Sequence, residues 1–370
     1  MKRYGVHMEL FQNFYVLTDK AIRKEAAPVP ITKTQLAVYS LGHFWVDLSC
    51  ALLMFARLES APEWALCVLL YNFCAFALQM PIGLLADRLS RNSCVAALGC
   101  ALTALGWGAS RLPVLAAVIA GVGNGCFHVG AGVDVLNISE KKSAALGVFV
   151  SPGAFGIYLG TMLGKSGALP GWLSVAGLLC FGALCIALDL RHRGSLDSGN
   201  APVELSPGLG KNALWALACC FLVVALRSYV GMALSFPWKT GGWAAATVCA
   251  VVFGKAAGGF LGDALGMKKA AAASLGLSAL LFFFSGSPYA GVAAVFLFNM
   301  TMPVTLWAAA RLLPGGRGFA FGMLTFALFL GFLPAYLERP VPMQNELGYA
   351  LGALASLGLL ALGLRKGGLR

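Results

Sequence analysis

Charge is scarce in this chain. Asp, Glu, Lys and Arg make up 11% of its 370 residues, less than half of the roughly 25% usual in soluble domains, and that shortage excludes a water-soluble globular fold. Negative charge is scarcest, with 15 acidic residues against 27 basic ones and a net charge of +12. The basic excess is scattered through short polar breaks, with no basic stripe interleaved with aromatics, so no nucleic-acid partner is expected. A P-loop, a nucleophile elbow, a CxxC pair and any Cys/His cluster of metal-ligand spacing are also lacking. An enzyme, a metal site and a cofactor are therefore not expected. The glycine-rich Gly121 to Gly125 lies inside an apolar run and is no nucleotide loop. Cysteine is plentiful at eleven residues, but Cys50, Cys67, Cys74, Cys100, Cys126, Cys180, Cys185, Cys219, Cys220 and Cys249 fall in apolar runs and Cys94 starts one. A free thiol packs there as a small hydrophobe.

What is abundant is apolar sequence, 59% of residues, and glycine, 46 residues. Glycine lets membrane helices approach closely, so the pattern points to an all-α polytopic bundle and not a barrel. Crossing a bilayer takes about twenty apolar residues, and runs of that length predict spans at 35–57, 64–86, 94–111, 113–136, 144–164, 171–190, 212–234, 243–263, 270–287, 289–311, 318–336 and 346–364. About twelve spans result. They divide into a leader over 1–33, a six-helix bundle over 34–190, a polar linker over 191–211, a second bundle over 212–364 and a tail over 365–370. The leader lacks the apolar core and cleavage site of a signal peptide. Placing the amino terminus inside puts Lys33, Arg88, Arg91, Lys141, Lys142, Arg191, Arg193, Lys211, Lys268, Lys269, Arg311, Arg317, Arg365, Lys366 and Arg370 on the inner side. The outer side then receives only Arg57, Arg111, Lys165, Lys239 and Arg339. Cytoplasmic loops are enriched in Lys and Arg, so the expectation is a multi-pass protein of the cytoplasmic membrane with both termini inside.

The halves repeat. Gly83-Leu-Leu-Ala-Asp87-Arg88-Leu-Ser-Arg91 follows the second span, and Gly259-Phe-Leu-Gly-Asp263-Ala-Leu-Gly266-Met-Lys268 follows the eighth, as a duplicated unit would have it. At these residues the chain resembles the major facilitator superfamily, whose loop between the second and third helices carries G-x-L-a-D-R-x-G-R-K. The first copy departs from it at Ser90 and Asn92, and the second loses both arginines, to Ala264 and Met267. The resemblance implies two pseudo-symmetric bundles and a cytoplasmic gate built from Gly83, Asp87, Arg88, Arg91, Gly259, Asp263 and Lys268, which closes and opens as the halves rock. Within the superfamily the chain is most similar to fosmidomycin-resistance-type efflux proteins, at Gly42-His43-Phe44 with Asp47, at Gly123 to His128 and at Phe149 to Gly160. Gly147, Ser151, Pro152, Phe155 and Gly156 partly resemble the G-xxx-G-P-xx-G-G pattern of proton-coupled drug antiporters. The fourth-helix arginine often found in those proteins is absent, since Val118 to Gly121 are apolar.

An ionisable residue well inside a span is costly and is by default a functional hypothesis. His43, Asp47, His128, Arg227 and Lys255 qualify. His43 and Asp47, four apart, share a helix face, and a desolvated carboxylate can exchange a proton near neutral pH. Asp47 is the candidate for proton coupling, with His43 and His128 in the relay; a structural, hydrogen-bonded Asp47 is the alternative. Arg227 and Lys255 need an anion, either Asp47 or a carboxylate or phosphonate on a solute. The first, fourth, seventh and tenth helices line the cavity in the superfamily, which adds Asn124, Tyr229, Asn299 and Trp307 to the candidate solute contacts. Pro303 predicts a kink in the tenth span. The function these features imply is alternating-access transport of a small anionic solute by a monomer; that it runs as proton-coupled efflux is what the resemblance to fosmidomycin-resistance-type proteins alone implies. Organic-anion uptake by symport or exchange, and a non-transporting membrane sensor or lipid-handling protein, stay open.

Overall fold

A computed structural model describes residues 33–89, 91–139, 142–191, 210–337 and 339–369. The leader, apart from Lys33, and the linker between 192 and 209 lie outside the described residues. Everything regular among the described residues is helical: α1 (Lys33–Leu58), α2 (Trp64–Leu89), α3 (Asn92–Gly108), α4 (Pro113–Ile138), α5 (Ala144–Ser166), α6 (Gly171–Arg191), α7 (Lys211–Ala233), α8 (Gly241–Leu265), α9 (Met267–Phe282), α10 (Pro288–Leu312), α11 (Arg317–Tyr336) and α12 (Glu346–Lys366). Ten of these are long and apolar enough to cross a membrane. The exceptions are α3, with 17 residues, and α9, with 16. Both follow a copy of the repeated loop. The helix α9 stops at Phe282 where apolarity had predicted a span to 287, because turns through Ser285 and Ser287 lead into Pro288.

The packing of α1 to α6 recurs in α7 to α12: α1 lies on α5 as α7 lies on α11, α3 on α4 as α9 on α10, and α3 on α6 as α9 on α12. Contacts between the two sets repeat as well, with α2 against α11 matched by α8 against α5. Small residues set these distances. A Cβ on Gly83 would collide with the Gly318 carbonyl, and one on Gly259 would sit 2.6 Å from the Ser143 carbonyl. Large apolar side chains point outward, among them Trp215, Phe253, Phe260, Phe284 and Tyr289, as a lipid-facing surface requires. The eleven cysteines are unpaired and most are buried.

Prolines interrupt the helices at positions that matter below. The helix α5 breaks at Ser151, ahead of Pro152, and α10 breaks at Met300, ahead of Pro303. In each case the proline lacks the N–H that would bond four residues back, to Val148 and Asn299 respectively.

Candidate functional site

The repeated loops close one end of the molecule. Asp87, buried at the end of α2, accepts hydrogen bonds from the backbone N–H of Gly318 at 2.7 Å and of Phe319 at 2.9 Å. Those amides belong to the first turn of α11, where unsatisfied N–H groups and the helix dipole favour an anion. Asp263, at the end of α8, repeats the arrangement on the start of α5, accepting from Ser143 N at 2.5 Å, Ala144 N at 3.1 Å and Ser143 Oγ at 3.2 Å. Arg88 and Lys268 stay exposed, and Arg91 reaches Asp189 at the end of α6 at 2.7 Å. Both aspartates therefore bind helix N-termini of the opposite half.

Two cavities open toward the other end. One, of about 350 Å³, is lined by Asp47, Met54, Phe55, Trp64, Tyr71 and Thr161. Trp64 begins α2 and Leu89 ends it, 26 residues and about 38 Å apart, so this cavity lies away from Asp87. The second, of about 250 Å³, is lined by Arg227, Ser228, Lys239, Thr247, Lys255 and Asn299 among others. Lys239, between α7 and α8, places it toward the same end.

In the first set of helices, α1 brings His43 and Asp47 onto one face, and α4 brings Asn124 and His128 against them. Asp47 Oδ2 lies 3.2 Å from His43 Nε2, and Oδ1 lies 3.6 Å from His128 Nε2 and 2.8 Å from the Asn124 amide that donates to it. The imidazole centroids are 4.3 Å apart, edge to face. His43 Nδ1 donates to the Phe149 carbonyl at 2.7 Å, and His128 Nδ1 donates to the Asn124 carbonyl at 2.8 Å. Carbonyl oxygens only accept, so both Nδ1 atoms carry hydrogen and both Nε2 atoms turn toward the carboxylate. Without a proton or another cation among them, imidazole lone pairs would face an anion. The spacing of Cys and His in the sequence gave no metal site, yet folding brings His43, Asp47 and His128 together with ligand atoms all within 4.8 Å of one another. Spacing could not show it because the ligands come from two helices distant in sequence. Gly153, on α5, abuts His43 Nε2 and Asp47 Oδ2 so closely that a Cβ there would overlap them.

In the second set, Arg227 is buried and its Nη1 has no hydrogen-bond partner. Among the described residues, none that lines the cavity with Arg227, Lys255 and Lys239 is acidic. Lys255 reaches across to α5 and donates to the Val150 carbonyl at 3.4 Å, next to the carbonyl that holds His43. Asn299, freed by the α10 break, lines the same cavity while its amide donates to Val295 at 2.9 Å. Tyr229 and Trp307 lie elsewhere. Tyr229 donates to the Pro342 carbonyl at 3.0 Å, and Trp307 lies in a cavity of about 240 Å³ with Arg311 and Arg317 at the gate end. Sequence reasoning missed Lys239, Ser228 and Thr247; Lys239 had been read as a loop residue, and hydroxyls in apolar helices carry no pattern of their own. It also passed over Asp134, which accepts from Tyr39 at 2.6 Å, Asn92 at 2.9 Å and Ser93 at 3.2 Å.

No family model matches this sequence, and no curated protein matches it. Its shape does match solved structures. A major facilitator superfamily transporter, FucP, in the outward conformation superposes with a TM-score of 0.64 at 15% identity, over 89% of this chain and 98% of that one. A variant of the E. coli fucose:proton symporter FucP superposes at 0.66 and 16% identity, over 90% of this chain and 98% of that one. At such low identity the likeness shows the fold alone, which this chain shares with those transporters.

Proposed function

We propose that this chain is a secondary active transporter that moves a small anionic solute by alternating access, coupled to protons at Asp47 with His43 and His128. The observation that carries the reading is the buried Arg227, unpartnered at Nη1 and lining, with Lys255 and Lys239, a cavity that has no acid among the described residues of its lining. A buried guanidinium left without an anion is strongly unfavourable, and a carboxylate or phosphonate entering the cavity supplies one, bidentate in the best geometry. At about 250 Å³ the space falls below the roughly 300–1,000 Å³ of drug-sized pockets, which favours a small solute.

The surrounding architecture fits this reading. Helices α1 to α12 are taken as spans, with 34–190 and 212–364 as the two rocking bundles and both termini in the cytoplasm. The chain would act as a monomer in the cytoplasmic membrane. The Asp87 and Asp263 latches then close the cytoplasmic end and leave both cavities open outward, in keeping with a neighbour described in the outward conformation. Efflux by proton antiport follows from the similarity of the first bundle to fosmidomycin-resistance-type proteins. Uptake by symport is the second reading, favoured by a fold neighbour described as a proton symporter.

Reconstitution tests both. Proton flux is recorded in liposomes on adding small carboxylates and phosphonates, for wild type, Asp47→Asn and Arg227→Met. Proton movement driven by an anion, lost in Asp47→Asn with solute binding retained and abolished in Arg227→Met, is the expected pattern. Its direction relative to the solute decides between antiport and symport. Solute flux without proton movement would remove the coupling at Asp47, and preference for a cationic or neutral solute would remove the anion site.

A further inference from the structure

The His43–Asp47–His128 cluster approaches the dimensions of a metal site. Around a tetrahedral zinc-like ion with ligands at about 2.0–2.1 Å, neighbouring ligand atoms stand about 3.4 Å apart. His43 Nε2 stands 3.2 Å from one carboxylate oxygen and His128 Nε2 3.6 Å from the other, near that value, and the ligand atoms of the three residues all lie within 4.8 Å of one another, so the cluster tightens modestly to close on an ion. Surrounding contacts are those a metal-bound imidazole requires: each Nδ1–H is fixed on a backbone carbonyl, which sets tautomer and ring plane and leaves Nε2 as the donor atom. Asn124 holds one carboxylate oxygen at 2.8 Å. Two imidazoles and one carboxylate suit zinc or cobalt, whereas magnesium and calcium demand oxygen ligands. Asp47 also lines the cavity of about 350 Å³, which gives an ion a way in and leaves room for a water as fourth ligand.

We propose that His43, Asp47 and His128 bind one divalent transition-metal ion of the zinc and cobalt class, which takes the place of the coupling proton and arrests the transport cycle. The binding site stands on the geometry alone; the arrest rests on the coupling reading above.

Full-length purified protein is titrated with Co²⁺, followed by visible ligand-field absorption and equilibrium dialysis, in wild type, His128→Gln, Asp47→Asn and Cys50→Ser. One Co²⁺ per chain is expected, with intense tetrahedral bands that Zn²⁺ removes. Losing an outer-shell partner costs roughly 10–100-fold in metal affinity, so losing a ligand in His128→Gln or Asp47→Asn should cost at least about 100-fold. Cys50→Ser, which removes the thiol beside Asn124, should bind as wild type does. Thermal unfolding of wild type supplies a measurement independent of any variant: Zn²⁺ should raise Tm by mass action and Mg²⁺ should not. The site is overturned if wild type binds no Co²⁺, if its Tm ignores Zn²⁺, if His128→Gln binds as tightly as wild type, or if thiolate charge-transfer bands appear and vanish in Cys50→Ser. In liposomes Zn²⁺ should stop solute flux in wild type. Stoichiometric Co²⁺ binding without solute-driven proton movement would overturn the coupling reading and leave the metal site standing, and proton coupling without Co²⁺ binding would do the reverse.

Discussion

Replacing Asp87 by Asn should unlatch the gate. The carboxylate accepts two backbone N–H groups at the start of α11, from Gly318 at 2.7 Å and Phe319 at 2.9 Å. Hydrogen bonds to a charged group contribute about 1.5–3 kcal/mol each and neutral ones about 1. An asparagine keeps one acceptor, loses the other and forfeits the attraction to the helix N-terminus, so the closed state should lose about 2–4 kcal/mol. At 1.4 kcal/mol per factor of ten, the ratio of gate-closed to gate-open molecules should fall roughly thirtyfold to several hundredfold. Because the contact joins α2 to α11, the loss bears on the equilibrium between conformers and much less on the folding of either half. Spin labels on exposed positions at the gate ends of α2 and α11 report it as a distance distribution. Wild type should show one short distance, and Asp87→Asn a dominant longer one. Asp263→Asn should produce the same shift between α8 and α5, where the carboxylate holds Ser143 and Ala144. A short distance retained in both variants, at wild-type Tm, would refute the assignment of these aspartates as latches.

Further outcomes follow from the same contacts. Gly83→Val should prevent closure altogether, since even a Cβ collides with the Gly318 backbone, and labels across the gate should report only the open distance. Arg227→Lys should weaken anion binding by about tenfold or more through loss of the bidentate fork, read by titration of the purified protein with a phosphonate. Gly153→Val should displace His43 and Asp47 from each other and reduce solute-driven proton movement at least tenfold, measured in liposomes. Arg91→Ala should change Tm little, because its ion pair with Asp189 is half exposed on the arginine side and such pairs contribute only about 0–1 kcal/mol.

The helices were legible because apolar windows about twenty residues long leave the backbone few other ways to satisfy its own hydrogen bonds in a bilayer. The boundary that moved most, at Phe282, is one where apolarity continues past the last helical turn through Phe283 and Phe284. His43 and Asp47 could be paired from their spacing alone, since residues four apart share a face. That His128 and Asn124 close on them depends on how α1 packs against α4, which no local pattern encodes. The partners that fix both imidazoles, the carbonyls of Phe149 and Asn124, belong to the backbone and have no signature in side-chain chemistry. Asp134 was hidden for a different reason. It lies in the last turns of α4, where an acidic residue reads as the polar end of a span, whereas the fold buries it under Tyr39, Asn92 and Ser93.

One helix joins the Asp263 contact, the acid–imidazole cluster and the cavity lined by Lys255. The first turn of α5 gives its amides to Asp263, its Gly147 packs against Gly259, and its broken middle holds His43 through Phe149 and Lys255 through Val150. The two carbonyls are adjacent, one serving the acid–imidazole cluster and the other a cation of the cavity lined by Arg227. Contacts between α1 and α5 lie within one half and those between α5 and α8 cross halves, so under the alternating-access proposal rocking would leave the His43 bond in place while the α5–α8 contacts would slip. On the same proposal Lys255 would part from Val150 and from the negative charge of Asp47, and an anion in the cavity or a change of charge in the cluster would alter what that parting costs. Coupling of solute to cation thus needs no direct contact between Arg227 and Asp47. On that reading it requires only that Lys255, a cation reaching across the halves, be held by the same helix break that orients His43.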